Sequence, residues 1–398
     1  WTLRGTGEHD WTGSLDRAQI PAVLNPASGY IVTANNDQAG VTEDDNPLNA
    51  YAYIGYDYDL GFRAGRITRL LERGAEAKLS LDDMGAIQTD TYSNYGARLT
   101  PWLLGAADAA AEAYADPEAR PDLVRFVEAH PEAAARIAQM REVLGRWSFE
   151  AENGLWGQPT DEQVSAANAT SLFNFWATRV EQRAIGDELG AAPGFSPTGQ
   201  QRVKGLLWIL EHPEQTATLD AETGQSAIWD DLTTPEKEGR DEILLLALME
   251  ALVALEETFG SPQPDAWLWG KVHTRVFGSI IPDLGGGVSR FTWPQPDEPF
   301  GEDGFPRSGD NFNVDACNGG TSDHRYRCGG GAILRLLVEL DPDGIVSYNA
   351  LPGGQVWDPA HPHFRDLLEY WLDDARYALP FHPADVAASP GGHAVYAP

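Results

Sequence analysis

Two side-chain amides, Asn35 and Asn36, close a run of residues that reads NPASGYIVTANN over positions 25–36. A Pro-Ala-Ser-Gly turn followed by the β-formers Tyr30, Ile31 and Val32 predicts a strand over 25–36. It should end where Asn35, Asn36 and Asp37 accept turn conformations. An amide carried on a strand end is aimed by a rigid scaffold, and its N–H can donate to an oxygen that turns negative during acyl transfer, the task of an oxyanion hole. Turn formation alone also accounts for Asn-Asn-Asp, so the chemical reading needs support from the flanking elements.

Those elements are mostly helical. Residues 63–73 predict a first helix, and Ser80 with Asp83 three residues on reads as the cap of a second. The stretch 106–115 is helical by composition, Pro117, Pro121 and Pro131 divide the next region into short helices, and Thr160 with Gln163 forms a capping box for a helix through Leu172, Phe173 and Trp176. Residues 241–259 form the longest apolar helix; Glu250 interrupts it and its apolar runs are too short for a bilayer, so it reads as core. Two strands, 332–341 and 344–351, come next, joined at Asp341-Pro342-Asp343-Gly344.

The flanks give the asparagines their context. GTGEHDWTG (5–13) and IPAVLNP (20–26) precede them; DLGFRAGRITRLLE (59–72) and LSLDDMGAIQTDTYS (79–93) come after, and WLWGKVH (267–273), FPRSGDNFNV (305–314) and LPGGQ (351–355) with DPAHPHFRDLLEYW (358–371) complete the series. In this order the segments resemble the penicillin acylase (penicillin amidase) family of N-terminal nucleophile hydrolases, in the later part of the catalytic β-chain. The resemblance implies an α+β, αββα layered fold, here partial and with a large helical middle region. It divides the chain into 1–78, carrying the core strand and the oxyanion segment, a mainly helical 79–260, and 261–398 with returning strands and a C-terminal helix. It also implies that Asn35, preceded by Ala34 beside the substrate, donates its amide to the tetrahedral intermediate. Arg63, opening the R-x-x-R-I helix, matches an arginine near the active site; because arginine side chains stay protonated, it would orient Asn35 or a substrate carboxylate. Without the resemblance, an arginine at a helix start beside carboxylates reads as an ion pair.

The family's nucleophile is an N-terminal Ser activated by its own α-amine, and Trp1 has no hydroxyl. The resemblance therefore implies a catalytically incomplete chain that works with the remaining acylase segments, the α-chain and the N-terminal part of the β-chain, on a small-molecule N-acyl amide. A nucleophile-less binding or assembly module is the alternative. At 353–355 GGQ matches the family's loop, but Val356 and Trp357 replace its small pair. Some relatives hold calcium near the stretch matched by Glu43-Asp44-Asp45-Asn46; this loop lacks regular ligand spacing and also reads as a solvated acidic loop. No organic cofactor is expected.

With 60 acidic and 28 basic residues the net charge is −32, which disfavours nucleic acid and anionic membrane surfaces. The 42% hydrophobic and 10% aromatic content belongs to a globular chain with a large core. The only cysteines, Cys317 and Cys328, could close a disulfide in an oxidising compartment, remain free, or join His324 at a metal; two thiols and one imidazole at irregular spacing suit zinc poorly. The family's usual export places the protein in the periplasm or outside the cell. His361 and His363 around Pro362 could ligate a metal or cap the next helix. The triplets Gly285–287 and Gly329–331 read as turn or hinge.

Overall fold

The structure is a computed structural model and describes residues 4–38, 40, 55, 58–74, 78–192, 194, 196–215, 218–279, 289–319 and 326–389. The chain divides into two compact units, Trp1–Glu76 and Ala77–Pro398.

In the first unit the expected strand over 25–36 does not form. Gly29 turns the chain as expected, its N–H donating to the Pro26 carbonyl at 3.0 Å. Beyond it the ladder among the described residues is a single isolated parallel bridge, Asn36 to Asp59. β-propensity describes a side chain's fit to a pleated surface and makes no ladder by itself; Ile31 is 56% exposed instead. Helix α1 (Phe62–Gly74) comes next, one residue longer at each end than predicted, and buries Phe62, Arg66 and Leu71.

The second unit is helical first. Helix α2 (Leu81–Gln88) begins with the predicted reciprocal cap between Ser80 and Asp83, and α3 (Asn94–Ala115) is capped by Ser93. The prolines then break the chain as expected, giving the short α4 (Val124–Ala129) and α5 (Ala134–Gly145). Thr160 and Gln163 cap α6 (Asp161–Ala191), α7 (Gly199–Glu211) carries a similar cap, and α8 (Arg240–Phe259) is the apolar helix read from the sequence. Helix α8 packs on α6 and α3, with Phe173, Phe175, Trp176, Ile243, Leu244 and Leu245 fully enclosed. Trp176 donates its indole N–H to the Leu244 carbonyl at 3.0 Å, so this fully buried ring is satisfied at its one polar atom. A run of small residues in α3, Ala106, Ala107, Ala109, Ala110 and Ala113, is buried where its neighbours approach closely.

Among the described residues, the strands form three small antiparallel sheets. Strand β1 (Thr274–Arg275) pairs with β2 (Phe305–Pro306), and β3 (Cys317–Gly319) with β4 (Cys328–Gly331). The predicted hairpin is β5 (Leu337–Asp341) with β6 (Gly344–Asn349), to which β7 (Tyr377–Ala378) adds. Strand β5 starts later than position 332 because the preceding residues are not laddered to β6; Ile333 and Leu334 are more than half exposed. Gly329–331 is not a hinge but lies in β4. There the missing side chain is structural: a Cβ on Gly331 would sit 2.1 Å from the Ala316 carbonyl oxygen. Gly285–287 lies outside the described residues. Two short helices close the unit, α9 (Leu368–Leu372) and α10 (Pro383–Ala388). No helix among the described residues is long and apolar enough to cross a membrane.

Candidate active site

Asn35 sits in the left-handed region, with φ of 61°, a conformation that asparagine tolerates better than most residues. The turn is held from several sides. Asn36 Oδ1 accepts from the Ala34 N–H at 3.2 Å and from Gln38 Nε2 at 3.0 Å, while the Asp59 N–H donates to the Asn35 carbonyl at 2.8 Å. Asn36 therefore holds the backbone, and Asn35 is the amide left at the surface.

Arg63, in the first turn of α1, brings Nη2 to 2.9 Å from Asn35 Oδ1, 3.0 Å from the Ala34 carbonyl oxygen and 3.0 Å from Asp59 Oδ2. The structure thus brings Arg63 and Asn35, both singled out in the sequence, into contact. A guanidinium only donates, so the atom of Asn35 that faces it must be the oxygen, and Nδ2 with its two hydrogens is on the opposite edge of the planar amide, turned away from Arg63. Among the described residues none accepts from that Nδ2. Ala34 is buried, at 6% exposure, and both its polar backbone groups are engaged in holding the turn. What the arrangement offers chemically is one oriented amide donor at the surface. Asp59 is not singled out by the sequence reading; its signal is an acid four residues before Arg63, the spacing of an ion pair that can form at a helix start.

The second unit holds buried ionisable groups of other kinds. Asp310 accepts from Ser93 Oγ at 2.6 Å and Asn174 Nδ2 at 3.4 Å; burial pushes its carboxyl up to about 7 against these bonds. Glu181, accepting from Tyr95 at 3.2 Å, is likewise raised by burial to about 7. His273 is lowered to about 4 by burial, and its Nδ1 meets the Tyr326 carbonyl at 2.7 Å, so that nitrogen carries the hydrogen. Both oxygens of Asp315 are taken by arginines, Arg307 at 2.8 Å and Arg335 at 2.7 Å, whose guanidinium carbons lie 4.3 and 5.0 Å from the centre of the Trp371 ring. A cleft of about 510 Å³ beside Arg307 is lined by Glu152, Asn153, Trp156, Ser308 and Asp373. Its polar groups bond mainly to one another, as in Ser308 to Glu152 at 3.3 Å and Trp156 to Asp373 at 2.7 Å.

Cys317 and Cys328 are joined by a disulfide across β3 and β4, their Cα atoms 5.0 Å apart. His361 accepts from the His363 N–H at 3.1 Å and so caps a short turn, and His363 Nδ1 meets Asp366 at 2.7 Å. Among the described residues no group of three or more His, Cys, Asp or Glu is placed to hold a metal ion; the acidic loop at 43–46 and His324 lie outside them.

The fold around this site is of the penicillin acylase type. A solved structure of thermostable penicillin G acylase from Alcaligenes faecalis matches it with a TM-score of 0.51 at 17% identity, covering 99% of this chain and 62% of that one. Residues 1–388 match the family described as penicillin amidase, and the chain belongs to that family. Acyl-homoserine lactone acylase QuiP of Pseudomonas aeruginosa is 26% identical over 388 residues, 96% of this chain and 41% of that protein. The penicillin acylase 2 proenzyme of Pseudomonas sp. is 29% identical over 395 residues, 96% of this chain and 40% of the proenzyme. The chain thus spans about 40% of the length of the curated relatives it matches.

Proposed function

We propose that this chain supplies the oxyanion-binding part of an N-acyl amidohydrolase. The observation that carries the reading is the 2.9 Å contact from Arg63 Nη2 to Asn35 Oδ1, which fixes the amide with its N–H side away from the guanidinium. The nucleophile is the hydroxyl of an N-terminal Ser located outside these residues, deprotonated by its own α-amine. Its oxygen adds to the substrate amide carbon, the carbonyl electron pair moves to the oxygen, and Asn35 Nδ2–H donates to the oxyanion. Collapse expels the amine, which takes up the proton, and water then releases the acid from the acyl-enzyme. Ala34, with both polar groups engaged, contributes shape beside the substrate.

The remaining acylase segments are the partners this reading requires, and the substrate is a small N-acyl amide. Both curated relatives quoted are named as acylases. The periplasm or the cell exterior is the proposed location, in keeping with the disulfide, since such bonds persist in oxidising compartments. The test is to express the full-length gene product and assay amine release from N-acyl amides bearing aromatic, glutaryl and long aliphatic acyl groups, with intact-mass measurement of the acyl-enzyme. Turnover with a trapped adduct on an N-terminal Ser is expected. Binding of these amides without turnover or adduct would favour a nucleophile-less binding module.

A further inference from the structure

We infer that Asp59 is a positioning residue for Asn35, acting through Arg63; the inference rests on the oxyanion role proposed for Asn35. Asp59 touches the asparagine by two routes. Its N–H donates to the Asn35 carbonyl at 2.8 Å, which fixes the backbone of the left-handed turn. Its side chain, 5% exposed, pairs with Arg63 at 3.0 Å, and Arg63 in turn holds Asn35 Oδ1. The other carboxylate oxygen accepts from the Gly61 N–H at 3.2 Å, so the carboxylate is anchored at the start of α1.

The charge on Asp59 matters for two physical reasons. First, Arg63 Nη2 has three acceptors at 2.9–3.0 Å and two hydrogens to share among them. Of the three, only Asp59 is ionic, and a charge-assisted bond is about twice as strong as a neutral one; it therefore sets where Nη2 rests. Second, a cation in the first turn of a helix is repelled by the positive end of the helix dipole, and a carboxylate just before that turn offsets the repulsion. Without the charge, Arg63 is released toward solvent and the Asn35 amide can rotate. A rotated amide presents oxygen lone pairs to the oxyanion in place of N–H.

Asp59→Asn separates this role from simple anchoring, because the amide oxygen can still accept from Gly61 and the backbone bond to Asn35 is untouched. In the full-length gene product, with an N-acyl 4-nitroanilide as probe, kcat should fall about tenfold, a fraction of the 10²–10³ expected for loss of an oxyanion donor. KM should stay within about twofold, since the effect lies on the transition state. Asp59→Glu keeps the charge on a longer arm and should recover only part of the loss, leaving kcat about threefold below the parent. In an Arg63→Lys background, Asp59→Asn should cost nothing further, because the two act as one unit.

A lowered melting temperature with parental kcat in Asp59→Asn would overturn the inference and leave Asp59 as a helix anchor. Should that variant fail to fold, Asp59→Glu decides: reduced kcat at unchanged KM supports positioning, and parental kcat overturns it. Asn35→Ala is run in parallel. If it lowers turnover while Asp59→Asn does not, only this inference falls; if it leaves turnover intact, the oxyanion reading falls first.

Discussion

Two arginine–carboxylate clusters in this chain use the same chemistry to opposite ends. Around Asp315, Arg307 and Arg335 are closed in on every side: their side chains are 4% and 5% exposed, that of Asp315 is 2% exposed, and the Trp371 ring lies against both guanidinium groups. Around Asp59, Arg63 remains 21% exposed, and one of its partners is the surface amide of Asn35. In the first cluster the charges reach from Arg307 to Asp374, 67 residues on; in the second Asp59 and Arg63 are four residues apart and hold one neutral donor, Asn35, 28 residues before Arg63, at the surface. The closed cluster is an element of stability, and the open one has an amide to spare for chemistry.

Substitutions should separate the two. Asp315→Ala leaves two buried guanidinium groups to share Asp374, and since breaking a buried pair costs about 3–5 kcal/mol the lower end of that range is expected; urea unfolding of the variant should show it, and an unchanged midpoint would make the cluster incidental. Replacing Cys317 and Cys328 together by Ala, the first of them two residues beyond Asp315, should remove about 3 kcal/mol, the value for a loop of this size. Thermal melting under non-reducing conditions checks this, and equal midpoints would deny the bridge a structural role.

A smaller effect depends on pH. Asp310 is raised in the folded state to about 7, so its fold favours the protonated acid. Unfolded, the same group ionises near the usual carboxylate value of about 4; between the two, folding takes up a proton and stability falls as pH rises. Asp310→Asn, which cannot ionise, should gain melting temperature relative to the parent at pH 8 compared with pH 5. A constant difference across that range would contradict the assignment. The smallest shift expected comes from salt. At a net charge of −32 self-repulsion is screened as ionic strength rises, so the melting temperature should increase between low salt and about 1 M, and a decrease would count against it.

Much of the helical frame is legible because its signals are local. The pairs Ser80 with Asp83 and Thr160 with Gln163 each cap their helix within four residues, and the prolines at 117, 121 and 131 end helices by their own geometry. The stretch 25–36 reads as a strand and is not one, because a strand is a property of two segments, and Tyr30, Ile31 and Val32 say nothing of a partner. Gly329–331 reads as a hinge for a related reason: close approach to Ala316 requires glycine there, and that approach is invisible until β3 is in place. Asn35 and Arg63 are legible through their flanks, and the structure adds the atom-to-atom contact between them. The Asp315 cluster is not legible, since its arginines lie 8 and 20 residues away and Asp374 a further 39 beyond Arg335.

The claim that most depends on the open cluster is that Asn35 stabilises an oxyanion, and the direct measurement is kcat for Asn35→Ala in the full-length gene product. A fall of about 10²–10³ with little change in KM or melting temperature is the predicted result. Parental kcat in a folded Asn35→Ala protein would contradict it.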